Sequence, residues 1–343
     1  MPNKEITKNS QARMMRSWML GLHATHITDI GGRIGYFAEM RRRGGTASAE
    51  ELAQARGLDP WRTKVWCQAA CAVGVLQADG DTQFTFAPFM EELLGDTSPE
   101  LLTTHVLASL SRDFPAYPEA FRTGARKTFH DHDEDFFHHQ GKISALRAPV
   151  VVAAACKLSG MEDRLSTGGK VMDIGSGSGT VLVRFAEEFP TCQVTGIEPL
   201  PYFVETSQKL IQDKRLSGRV RVESVGGEEL PFENEFDLIT MVQVFHELPD
   251  EKKMDILIRC HRSLQPDGVL LVVDRCAPET GEDLHDRRFT MSILEQWFEV
   301  TWGNIVNTRS DIIQMLKDTG FSVTEENPDI IPTYWTFVAE KTA

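Results

Sequence analysis

From Gly169 onward, short runs of valine, isoleucine and leucine alternate with longer amphipathic segments. The apolar runs predict strands at Lys170–Ile174, Gln193–Ile197, Arg219–Val225, Phe236–Val242 and Val269–Asp274. Between them the spacing predicts helices over about 180–189, 201–214 and 250–264. Near-continuous apolar strands alternating with helices imply a mostly parallel sheet covered on both faces, a Rossmann-like doubly wound α/β fold. Ligands of such sheets bind beyond the carboxyl ends of the strands, so the residues just after each strand carry the functional information.

The first ninety-odd residues are patterned differently. Thr46-Ala-Ser-Ala-Glu50 starts a helix, with Thr46 or Ser48 as cap and an acid suited to the positive end of the dipole. Gly57 ends it, and Asp59-Pro60 opens the next helix, which runs to Gly74 with Val65, Ala69 and Val73 on one face. Val75–Ala78 and Gln83–Phe86 flank Asp79-Gly-Asp-Thr82, a hairpin signal. Helix, helix, hairpin is a winged-helix arrangement. Residues 96–165 hold Pro115, Pro118, the polar run His130–Asp135 and an apolar helix candidate from Ile143 to Leu158. The expected organisation is therefore a winged-helix-like domain (1–95), a helical connector partly covering a site (96–165) and a Rossmann-like domain (166–343).

Val171-Met-Asp173-Ile-Gly175-Ser176-Gly177-Ser-Gly179 ends the first predicted strand. Glycines there permit a tight turn and a closer ligand approach than any Cβ allows. A dinucleotide fingerprint needs a third glycine where this chain has Thr180. An acid two residues before the first glycine suits a cationic amino-acid ligand better than a pyrophosphate. Glu198 closes the second strand, where a carboxylate accepts both hydroxyls of a ribose. After the third strand comes Gly226-Gly227-Glu228-Glu229, and Glu228 is the candidate acceptor for an adenine amino group. The fourth strand runs into Val242-Gln243-Val-Phe-His246-Glu-Leu-Pro-Asp250, placing a histidine where a general base of near-neutral pKa is useful.

Composition narrows the partners. With 41% hydrophobic and 25% charged residues the chain is an ordinary globular protein. A net charge of −14 argues against nucleic acid, which needs a concentrated positive field. The longest apolar run, Ala148–Cys156, is about half a bilayer span, and the polar N-terminus is no secretory signal. Six cysteines in neither a metal nor a disulfide pattern place free thiols in the cytoplasm. Closely spaced His130, His132, His138 and His139 share no helix face with a partner ligand, so no metal is expected.

Residues 170–274 resemble class I S-adenosylmethionine-dependent methyltransferases on the glycine motif and Glu198. With the N-terminal pattern, the whole chain resembles the dimeric small-molecule O-methyltransferases of plants and bacteria. The resemblance implies S-adenosyl-L-methionine as cofactor, a homodimer built through the N-terminal domain, and a small-molecule substrate. It implies that Asp173, Gly175, Ser176, Gly177 and Gly179 hold the methionine part, and Glu198 with Pro199 the ribose. Gly227, Glu228, Val242 and Gln243 complete the expected cofactor set, with His246 as the base and Asp274 as its flanking acid. The chain departs from the family pattern at Gly226-Gly227, often Gly-Asp, and at Leu248, usually Trp. A second flanking acid falls near Val306, in Asn304–Arg309, where none stands. The stretch 282–302 lies where such enzymes cover their substrates, so Phe289, Met291, Trp297, Phe298 and Trp302 are the candidate pocket residues.

The expected activity is methylation of a small-molecule hydroxyl. The alternatives are C-methylation of an enolisable carbon acid such as a 2-oxo acid, and a cofactor-binding scaffold with a non-methylating reaction. A winged-helix regulator is disfavoured, because Asp59–Trp66 carries only Arg62 and Lys64 as bases.

Overall fold

Capping chemistry fixes the helix starts of the N-terminal part. Ser48 accepts from the Glu51 N–H while Glu51 reaches back to the Ser48 N–H, so Ser48 caps the helix Ala49–Arg56. Thr46 is not a cap: it pairs with Thr85 and opens a short strand. Gly57, with φ of 66°, closes that helix, and Asp59 caps Pro60–Ala72. The computed structural model describes residues 6–327 and 334–342. The chain divides into two units: residues up to Pro115 with Asp135–Ile143, and Ala116–Glu134 with the residues from Ser144 onward.

In the first unit, helices Lys8–Arg33, Tyr36–Arg42, Ala49–Arg56 and Pro60–Ala72 accompany a three-stranded antiparallel sheet. Its strands are β1 (Thr46–Ser48), β2 (Leu76–Asp79) and β3 (Gln83–Phe86), in the order β1-β3-β2. Tyr36, Phe37, Leu52, Trp66 and Phe86 fill its core. The buried face of Pro60–Ala72 is Thr63, Trp66, Cys67 and Ala70, whereas Val65 is 43% exposed. Trp66 decides this orientation: its ring packs on Tyr36 and its Nε1 donates to the Ile27 carbonyl.

The second unit holds a seven-stranded sheet. Its strands are β4 (Lys170–Ile174), β5 (Gln193–Ile197), β6 (Val220–Glu223), β7 (Phe236–Val242), β8 (Leu264–Asp274), β9 (Phe321–Asn327) and β10 (Trp335–Lys341). The order is β6-β5-β4-β7-β8-β10-β9; neighbours are parallel except β10, antiparallel to both β8 and β9. Successive residues of β8 enter opposite cores: Leu271 and Val273 one, Leu270 and Val272 the other. Burial on both faces is why these strands read as unbroken apolar runs. The apolar stretch expected as one helix from Ile143 to Leu158 is two, ending at Ala145 and restarting at Ala148. Pro149 sits in the first turn of the second, where its missing N–H does no harm but continuity with the first is broken. Among the described residues no helix is long and apolar enough to cross a membrane.

Candidate active site

Strand order reverses at β4, so a crevice opens where the chains leaving β4 and β7 part, and the site residues gather there. Gly175, Gly177 and Gly179 all have positive φ, the region only glycine enters freely. A Cβ on Gly175 would lie 2.3 Å from Val244 Cγ2, and one on Gly179 would lie 2.1 Å from Ser207 Oγ. Gly177 differs: only the Gly175 carbonyl, at 4.0 Å, borders its Cβ position, leaving that side open to a ligand.

Glu198, at the end of β5, is buried beneath this turn. Its two oxygens accept the Gly177 N–H at 2.8 Å and the Leu200 N–H at 3.0 Å. Asp173 is also buried and accepts the Thr240 hydroxyl at 2.5 Å. Burial pushes the Asp173 carboxyl up to about 7 and raises that of Glu198. Neither acid forms an ion pair among the described residues, and Ser178 Oγ is a buried hydroxyl lacking a partner. A ligand bringing an ammonium group and hydroxyl donors fits this surface.

The other expected cofactor residues occupy the same rim. Ser176 is buried, its Oγ against Gly196, and Pro199 is exposed. Gly227 lies under Ile256 in a short turn, while the Glu228 carboxylate is paired with the Lys252 ammonium. Val242 ends β7, and Gln243 takes a left-handed φ of 57°, a strained conformation for a side chain of this kind. Its N–H donates to the Val273 carbonyl at 2.8 Å, and its Oε1 accepts the Tyr334 hydroxyl at 3.0 Å. That hydroxyl in turn accepts from Arg147 and Arg275.

His246 lies in a one-turn helix beyond β7 and is 2% exposed. β7 and β8 are parallel neighbours, which brings Asp274 to it. His246 Nδ1 is 2.6 Å from Asp274 Oδ1, and the His246 N–H donates to Oδ2 at 3.2 Å. On the opposite edge of the ring, Nε2 is 3.5 Å from Glu299 Oε1, while Glu299 Oε2 accepts the Asn304 amide at 3.1 Å. Burial alone would depress the imidazole, but Asp274 and Glu299 outweigh it and hold it well above its ordinary value. Burial pushes the carboxyl of Glu247, the next residue, up to about 8. Glu295, one turn before Glu299, is paired with Arg275.

No acid stands near Val306 in the sequence; the second acid beside His246 is Glu299, at the end of the helix Thr290–Glu299. Val306 itself is buried, with its N–H held by Gln296, and Lys253 donates to the Ile305 carbonyl and to Asn307 Oδ1. Sequence reasoning passed over Glu299, Glu295, Glu247 and Tyr334. A signal existed for the first two: they stand four apart on the amphipathic helix Thr290–Glu299, hence on one face.

The candidate pocket residues do not form one cluster. Phe289 is part of the core, beside Trp335. Met291 is exposed, and Trp297, 45% exposed, packs edge-on to Tyr117. The Phe298 carbonyl accepts the Tyr117 hydroxyl at 2.7 Å. Trp302 is buried against Phe129 and His132. The side chain of His130 lies outside the described residues.

Residues 171–268 match the family described as a methyltransferase domain. Aclacinomycin 10-hydroxylase RdmB of Streptomyces purpurascens is 30% identical over 157 residues, 46% of this chain and 40% of that protein. The chain thus aligns with less than half the length of that relative. The whole fold is similar to mitomycin 7-O-methyltransferase MmcR, with a TM-score of 0.79 at 18% identity, covering 98% of this chain and 99% of the other. It is also similar to human N-acetylserotonin methyltransferase in complex with SAM, with a TM-score of 0.77 at 16% identity over the full length of both. Residues 171–268 are thus similar to a methyltransferase domain, and the chain as a whole has the fold of those two solved enzymes.

Proposed function

We propose that the chain is an S-adenosyl-L-methionine-dependent methyltransferase that methylates a hydroxyl of a small molecule. The observation that carries this reading is the open glycine turn at Gly177 braced by the buried carboxylate of Glu198. The methyltransferase domain match over the same strands supports it.

S-adenosyl-L-methionine, when bound, supplies an electrophilic methyl group on its sulfonium. Glu198 accepts the ribose hydroxyls through the oxygen lone pairs that its two backbone donors leave free. Asp173 balances the ammonium of the methionine part, and Gly227 with Glu228 borders the adenine. Alignment of acceptor oxygen, methyl and sulfur can supply roughly 7–11 kcal/mol of the barrier. His246 would be the group that receives the proton of the acceptor hydroxyl. Asp274 would keep Nδ1 protonated, which leaves Nε2, on the side of Glu299, as the atom that exchanges the proton.

Replacing Glu198 by Ala removes one charged hydrogen-bonding group, about 1.5–3 kcal/mol. Calorimetry with S-adenosyl-L-methionine should therefore show roughly ten- to hundredfold weaker binding; unchanged affinity removes Glu198 from the site.

Residues 1–95 are the proposed dimerisation domain, winged-helix-like in type. Met15, Trp18, Met19, Leu20 and Leu22 of the helix Lys8–Arg33 are each more than half exposed, an apolar surface that a second copy would cover. Light scattering should give twice the chain mass, and a monomer would refute the assignment. The free cysteines suit the reducing cytoplasm, which cell fractionation checks.

A further inference from the structure

Strand register in the second unit brings Gln243, Asp274 and Tyr334 to one edge of the sheet. Val242, at the end of β7, pairs with Val273 of β8, and Asp274, the last residue of β8, pairs with Trp335, the first of β10. Tyr334 is buried, and the Arg275 guanidinium lies 4.4 Å from the centre of its ring. Its hydroxyl lies 2.9 Å from Arg147 Nη2, 3.0 Å from Arg275 Nη2 and 3.0 Å from Gln243 Oε1. Arginine only donates, so the two guanidiniums take the oxygen's lone pairs and the single phenolic proton goes to Gln243. That bond decides which way the amide faces: Oε1 lies on Tyr334, and Nε2 lies 3.5 Å from Asp274 Oδ1.

We infer that Tyr334 and Gln243 are positioning residues for His246, a side-chain brace that holds both Asp274 and the turn leading to the imidazole. Asp274 Oδ1 receives the Arg275 N–H at 2.7 Å, the Gln243 amide and His246 Nδ1 at 2.6 Å, while Oδ2 receives the His246 N–H. A carboxylate held from these several directions does not rotate away from the ring, and the direction of the ring follows. Gln243 itself sits at a φ of 57°, which glycine or asparagine adopts more readily than glutamine. Its N–H is tied to the Val273 carbonyl and its side chain to Tyr334, and these bonds offset the strain. Three residues later the same turn delivers His246. Glycine or asparagine would make the turn at less cost; the longer amide is what joins Tyr334 to Asp274. The bearing of the brace on proton transfer rests on the methyltransferase reading; its hold on the imidazole does not.

The test reads the imidazole directly, by NMR of the full-length protein with isotopically labelled histidine and no cofactor. The His246 Nδ1–H resonance, identified by its loss in His246→Ala, should lie downfield and exchange slowly with water. Tyr334→Phe removes the phenolic proton, and Gln243→Asn keeps a residue suited to the left-handed turn while shortening the amide. In each, exchange of the ring proton should quicken about two- to tenfold, the size expected for losing one hydrogen bond. Thermal unfolding on the same samples is the control, and Gln243→Asn should melt no lower than wild type. If one variant fails to fold, the other decides. A wild-type ring proton in fast exchange, or unchanged exchange in either folded variant, overturns the brace. Equal quickening at the other histidines would mean general loosening and overturns it too. Failure of S-adenosyl-L-methionine to bind the wild type in calorimetry instead sinks the methyltransferase reading and leaves the brace as the NMR finds it.

Discussion

At the ends of β4 and β5 the candidate site is made mostly of backbone: three glycines in left-handed conformations, with one buried glutamate accepting the N–H groups of Gly177 and Leu200. At the ends of β7 and β8 it is made of side chains: an imidazole between Asp274 and Glu299, with Glu247 and an Arg275–Glu295 pair behind. The first region has its geometry imposed by the turn, so any ligand there meets a fixed surface. The second has its geometry imposed by charge, and it is defined only when segments some fifty residues apart in sequence come together. Binding is thus assigned to the rigid region and proton chemistry to the electrostatic one.

If that division holds, damage to the two regions separates in kind. The largest effect is expected from His246→Ala, which should lower kcat by about 10²–10⁴, the worth of a positioned acid–base group, with cofactor affinity little changed. A fall in cofactor affinity as large as the fall in kcat would mean that the regions are one. Gly175→Ala should act the other way. The new Cβ meets Val244 at a φ of 66°, so stability should drop by about 1–3 kcal/mol and cofactor affinity with it. Chemical denaturation checks this, and a variant as stable as wild type would show that the turn tolerates a side chain.

The smallest effect concerns pH. The Asp173 carboxyl, ordinarily near 3.8, stands at about 7 in the fold. Its folded value is raised, so the stability it contributes is fully present below about 3.8 and lost as pH rises through about 7. In cofactor-free protein, the wild-type Tm should therefore fall relative to Asp173→Asn between pH 5 and pH 8. Tm curves that stay parallel across that window would remove Asp173 as a buried, unpaired acid.

The same contrast explains what was legible in the sequence. β4, β5 and β7 lie where the apolar runs put them, because burial on both faces leaves little ambiguity. The glycine turn and Glu198 were readable because spacing along a strand, a turn and the next strand encodes them locally. His246 and Asp274 were readable through the ends of neighbouring strands. Glu299 was not, because its approach to His246 depends on how the helix Thr290–Glu299 packs, and the sequence there advertised its aromatic residues instead. The orientation of Pro60–Ala72 was misread for a related reason. Val65, Ala69 and Val73 make a plausible apolar stripe, but a tryptophan with an indole N–H to satisfy outweighs three small side chains.

The most direct measurement of the central claim is a crystal structure of the protein grown with S-adenosyl-L-methionine. The account predicts ribose hydroxyls on Glu198, the ammonium beside Asp173, the backbone of Gly177 against the ligand, and the methyl group directed toward His246 Nε2. A cofactor bound elsewhere, or one whose ribose avoids Glu198 and whose methyl group points away from His246, would contradict it.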